Sequence, residues 1–116
     1  MQNKFSLAAA QEALKQSGQE FTLLLEHGTL AVELYQPHET VKQTPHEQDE
    51  VYVIATGESK FFLSGETSQV RAGDFLFVPA AAEHRFLNFS PDFSTWVLFY
   101  GPKGGENGIV KKVAIP

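Results

Sequence analysis

Two short stretches of the chain carry the side chains best suited to chemistry. The first runs Thr44-Pro45-His46-Glu47-Gln48-Asp49-Glu50-Val51-Tyr52, and the second runs from Gly73 through Pro79 to His84, Phe86 and Asn88. In an extended segment alternate residues face one side, so Thr44, His46, Gln48 and Glu50 form one wall, continued by Tyr52 and Ile54. A turn near Gln48 would still let His46 and Glu50 converge. In the second stretch Pro79 ends a strand, Ala80 to Ala82 permit a close bend, and His84 opens the next strand with Phe86 and Asn88 on its side. Two imidazoles and a carboxylate on an apolar background suit a divalent transition metal such as Fe, Mn, Ni, Zn or Cu. Three protein ligands leave positions open for water and substrate. The same ligand count serves non-haem iron oxygenases. Spacing permits such a site, provided the two stretches meet.

The elements that must position them are mostly strands. Ser6 as N-cap, the run Leu7-Ala8-Ala9-Ala10 with Ala13 and Leu14, and Gly18 as a stop predict one short N-terminal helix. From Glu20 the pattern changes to short β runs divided by turn residues, with His27-Gly28 as a hairpin turn and Ser64-Gly65 and Gly73-Asp74 as later ones. Eight or nine such runs predict an all-β sandwich or barrel. The segment from Gln36 to Gln43 reads as a connecting loop. Residues 101–116 hold four glycines and two prolines and read as a tail, in which Ile109-Val110 and Val113-Ala114-Ile115 could add a late edge strand or arm.

At these positions the chain resembles the cupin superfamily of small jelly-roll β-barrels. That family's second motif, G-x5-P-x-G-x2-H-x3-N, is matched at Gly73, Pro79, His84 and Asn88, with Ala81 in place of the inner glycine. Of its first motif, G-x5-H-x-H-x3/4-E-x6-G, this chain keeps His46, Glu50 and Gly57, while Thr44 stands where the first histidine belongs and His38 where the leading glycine does. The resemblance implies an all-β jelly-roll double-stranded β-barrel with a short N-terminal helix. It divides the chain into residues 1–19 (a helix packed on the barrel), 20–101 (the barrel) and 102–116 (a C-terminal tail or arm). It also implies that His46, Glu50 and His84 are three of the usual four ligands of one divalent transition metal. The fourth would be water or Gln48, whose amide oxygen has the right parity, and less readily the hydroxyl of Thr44. Tyr35, Tyr52, Phe86 and Trp96 are candidates for the substrate pocket.

Composition narrows the function classes. Nine basic against fourteen acidic residues give a net charge of −5, which argues against a nucleic-acid partner. No apolar run approaches the roughly 20 residues that span a bilayer. The absence of cysteine excludes disulfides, thiolate nucleophiles and cysteine metal sites, and it fits a cytoplasmic protein. The expected function is that of a single-domain, metal-binding cupin acting on a small polar organic molecule as a dioxygenase or isomerase. The alternative is a non-catalytic module that senses a sugar or small organic acid in the same pocket. Edge strands of a jelly roll need covering, and the resemblance implies a homodimer in which the helix or the tail supplies the cover.

Overall fold

The computed structural model describes residues 3–39 and 46–115. Helix α1 (Leu7–Ser17) is capped as its sequence predicts. The Ser6 hydroxyl accepts the Ala9 N–H at 3.1 Å, and Gly18 closes the last turn at φ 68°. The helix buries Ala10 and Leu14 against Leu34, with Leu7, Leu24 and Trp96 around them.

Eight strands follow: β1 (Phe21–His27), β2 (Leu30–Tyr35), β3 (Asp49–Thr56), β4 (Glu58–Leu63), β5 (Glu66–Arg71), β6 (Phe75–Val78), β7 (His84–Leu87) and β8 (Ser94–Tyr100). They form a five-stranded sheet in the order β1-β2-β8-β3-β6 and a three-stranded sheet in the order β5-β4-β7. Every pairing is antiparallel. Between the sheets Tyr52, Ile54, Val78 and Val97 meet Phe61, Val70 and Phe86, joined by Phe93 from the approach to β8. The aromatic members pack ring on ring, with Phe86 centred 4.8 Å from Phe93 and 5.0 Å from Tyr52.

The two sheets face each other across this core, but the expected closed shell does not form, because their ladders do not join. The small sheet ends on β5, where only Val70 is buried and the remaining residues stay exposed. Such a polar strand has nothing to gain from meeting the far edge of the larger sheet. The tail differs too: no strand forms over residues 101–115, where the glycines leave the apolar side chains Ile109, Val113 and Ile115 exposed.

The larger sheet has two contrasting faces. Along β3, Glu50, Tyr52 and Ile54 are buried while Val51 and Val53 are half-buried on the opposite side. Val51 and Val53 pair with Phe77 and Phe75 of β6 and with Leu98 and Trp96 of β8. Helix α1 packs on β1 and β2, and Phe75 at the other edge is 66% exposed. Among the described residues no helix is long and apolar enough to cross a membrane.

Gly57 joins β3 to β4 at φ 74°, and a Cβ there would collide with the Ser90 hydroxyl and lie 2.8 Å from the Phe93 backbone. Left-handed strain and this clash together make Gly57→Ala cost about 3 kcal/mol. Chemical denaturation measures that loss, and an unchanged midpoint would contradict it.

Candidate metal centre

β3 begins only at Asp49, because Glu47 and Gln48 bend before the ladder, so no unbroken strand carries His46 and Glu50 along one wall. The bend brings His46 back over Glu50. His46 Nε2 lies 3.9 Å from one Glu50 oxygen, and His84 Nε2, at the start of β7 in the other sheet, lies 3.2 Å from the second. One ligand atom from each of the three residues falls within 4.8 Å of the others. The two stretches therefore meet, and they meet at the carboxylate.

A single turn aligns both imidazoles. Residues 79–82 carry the chain from β6 to β7, with Ala81 at φ 66°, a conformation that glycine adopts more easily. The Ala81 N–H donates to the His46 carbonyl at 2.8 Å. The Ala82 carbonyl faces His84 Nδ1 at 2.9 Å. A carbonyl only accepts, so Nδ1 carries a proton and Nε2 is the ring nitrogen left to face Glu50. Asp49 fastens this turn to the strand. Its two carboxylate oxygens accept the N–H groups of Ala80 at 2.9 Å and Glu106 at 2.8 Å, which also ties the start of the tail to the residue beside Glu50.

The electrostatics are unusual for a protein interior. Glu50 is 1% exposed, and neither of its oxygens nor His84 Nε2 has a hydrogen-bond partner among the described residues. The 3.2 Å approach of His84 is an ion-pair contact without hydrogen-bond direction. Burial alone would lower the His84 pKa, but the Glu50 carboxylate and the Ala82 carbonyl outweigh it and hold the pKa above its ordinary value. Burial, followed by the Glu50 charge, pushes the Tyr52 phenol well up, so it stays protonated. The two orphaned oxygens of Glu50 and Nε2 of His84, with His46 beside them, fit a divalent cation, which would satisfy all three buried atoms at once.

Beside this centre a cavity of about 1040 Å³ opens along the inner face of the larger sheet. Of the predicted pocket residues, Tyr35 and Tyr52 line it. Phe86 fills the core instead, and Trp96 lies on the opposite face against the helix cluster. Trp96 has the parity of Leu34, its ladder partner, and so turns away from the cavity. The Gln48 side chain also lines the cavity, and its amide nitrogen donates to the carbonyls of Thr29 and Gly101 at 3.1 and 2.9 Å. Thr44 lies outside the described residues. Sequence reasoning passed over Asp49 and Glu33. Asp49 gave no signal, whereas Glu33 alternates with Ala31 and Tyr35 on one side of β2 and could have been placed from that parity.

A family model for the Cupin domain matches residues 31–100, more than half of the chain, and the protein belongs to that family. Among curated proteins it is similar to an uncharacterized protein of Streptomyces coelicolor, 39% identical over 64 residues, which are 55% of this chain and 61% of that one. The match thus spans less than two-thirds of that relative. Among solved structures, a protein from Neisseria meningitidis superposes with a TM-score of 0.69 at 20% identity, over 85% of this chain and all of that one. The DMSP lyase DddQ from Ruegeria pomeroyi superposes at 0.62 with 24% identity, over 70% of this chain and 46% of its own. At these identities the likeness is one of fold.

Half-burial, and secondarily the charge of Glu50, raise the Glu33 pKa above 4.5. A carboxyl with a raised folded pKa lends its full stability below the unfolded pKa and loses it as pH rises through the folded value, so ionised Glu33 costs stability at neutral pH. Metal-free Glu33→Gln should therefore melt above wild type at pH 7, with the gap closing as pH falls towards 4.5. Melting curves across that range test this, and a variant that melts lower at pH 7 contradicts it.

Proposed function

We propose that this cupin is a metal-dependent small-molecule enzyme of the dioxygenase or isomerase type, built on a site of two histidines and one carboxylate. The observation that carries the reading is Glu50, a carboxylate sealed at 1% exposure with no hydrogen-bond partner among the described residues and an imidazole on each side. A buried charge of this kind is tolerated when a cation answers it.

His46, Glu50 and His84 would hold one divalent transition ion, whose bound form supplies Lewis acidity towards the oxygens of a small polar substrate. The chain's own residues do the rest. His84 is fixed in the tautomer that presents Nε2 by its bond to Ala82. Tyr52, protonated and set beside Glu50, offers a phenolic proton at the inner end of the cavity. Phe99, whose ring lies 4.7 Å from that of His46, shields the imidazole on its cavity side. Gln48, or Thr44, would complete the ligand set or orient a water.

We also infer a homodimer that buries the outer face of the larger sheet, where Val51, Val53, Phe77 and Leu98 adjoin the exposed Phe75. Phe75, at 66% exposure beside these half-buried side chains, is the apolar surface a second copy would cover.

Elemental analysis of the purified protein should find about one transition metal per chain. His84→Ala should abolish it while leaving the β signature in circular dichroism, and Thr44→His should tighten binding by restoring a fourth ligand. Full metal content in His84→Ala would remove that residue from the site. Oxygen uptake or isomerisation with a panel of catechols, diketones and hydroxy ketones separates an enzyme from a binding module, which would bind without turnover. Light scattering should give twice the chain mass for wild type and the chain mass for Phe75→Glu, and a monomeric wild type would refute the dimer.

A further inference from the structure

The cavity wall away from the metal centre has its own chemistry. Four carboxylates line the cavity, those of Glu26, Glu33, Glu47 and Glu50, against the single ammonium of Lys103. That ammonium is engaged at the rim by Glu47 at 3.6 Å. With Glu50 answered by a divalent ion, Glu33 and Glu26 still give the wall an excess of negative charge.

Glu33 is the inner of these two. It sits mid-strand in β2, half-buried, and no cationic side chain forms an ion pair with it among the described residues. Its ladder partners place it among apolar and aromatic neighbours. Leu23 stands opposite it on β1, and the next pair on that face is Phe21 with Tyr35. Phe21 and Tyr35 both line the cavity, and Phe21 is 49% exposed there. On the other flank Glu33 pairs with Val97, and Val97 pairs with Tyr52. Glu33 and the metal centre thus sit on strands two apart, which separates their backbones by about 10 Å. Glu50 itself, buried and without a hydrogen-bond partner, faces the same cavity. A lone carboxylate beside exposed aromatic faces is the arrangement that holds an alkylammonium, by charge and by cation–π contact. An anionic group in the same place would meet Glu33 and Glu26, while the one lysine among the described lining residues, Lys103, is engaged at the rim by Glu47.

We propose that the cavity takes a small molecule with an oxygen donor at one end and an alkylammonium group at the other, the ammonium resting on Glu33 between Phe21 and Tyr35. The proposal deepens the enzyme reading above, and rests on it for the oxygen end alone.

A matched pair of probes tests it. Glycine betaine and 3,3-dimethylbutanoate share a carboxylate and nearly the same shape, and differ in whether the bulky end is charged. Calorimetric titration into the metal-loaded protein should show betaine bound about tenfold more tightly. Glu33→Gln should bring that preference below about threefold with metal content unchanged. Equal affinities, a preference for dimethylbutanoate, no binding of either probe, or a preference that survives in Glu33→Gln would each overturn the proposal. Tetramethylammonium chloride, titrated into the metal-free protein, separates this from the metal reading. It should shift the backbone amide resonances of Phe21, Glu33 and Tyr35 in wild type and not in Glu33→Gln, even if the protein never takes up an ion. Absence of those shifts would overturn the ammonium site whatever the metal content.

Discussion

An ionised side chain in the middle of a protein is tolerated only when something of opposite sign stands against it. Glu50 imposes that condition here. It lies on the inner face of β3 between Phe99 on one neighbouring strand and Val78 on the other, where water cannot solvate it. Two imidazoles from different parts of the chain converge on it, and with it they could hold the cation that answers the charge. One comes from the bend before β3 and one from the first residue of β7, so the carboxylate can be answered only when the two sheets have packed. Fold and site are therefore one requirement. A chain that failed to bring β7 under β3 would leave the charge buried with half its counterpart missing.

The turn between β6 and β7 meets that requirement cheaply. Three successive backbone groups do separate tasks: Ala80 anchors to Asp49, Ala81 holds the carbonyl of His46, and Ala82 orients the ring of His84. Small side chains leave space for those backbone contacts. Ala81 nevertheless adopts φ 66°, a left-handed conformation that disfavours any Cβ. The strain is confined to one residue, and the bond to His46 is what it secures.

The members of the histidine–carboxylate cluster were legible in the sequence because they obey local rules. Parity along a strand placed Glu50, Tyr52 and Ile54 on one face, and proline followed by three alanines marked the bend before His84. The helix was legible for a similar reason, since its start and stop are written in Ser6 and Gly18. What the sequence concealed depends on long-range register. Trp96 and Phe86 are aromatic and of suitable parity within their own strands, yet parity does not say which face of a sheet looks into the cavity. Leu34 pairing with Trp96 decides one case, and the ring stack with Phe93 decides the other. Asp49 escaped notice because its partners, Ala80 and Glu106, are backbone groups 31 and 57 residues away. The failure of the two sheets to join rests likewise on a small balance, the polarity of β5, which composition alone does not weigh.

The three side chains of the cluster are not sealed alike. Those of Glu50 and His84 are at most 1% exposed, whereas that of His46 is 42% exposed and sits on a bend instead of a ladder. Two of them form a sealed floor, and the third stands half-exposed above it. An ion exchanging with solvent would release the outer imidazole first and the inner pair last. The residence time of a bound ion would then depend on how firmly one backbone bond, from Ala81, holds His46 in place.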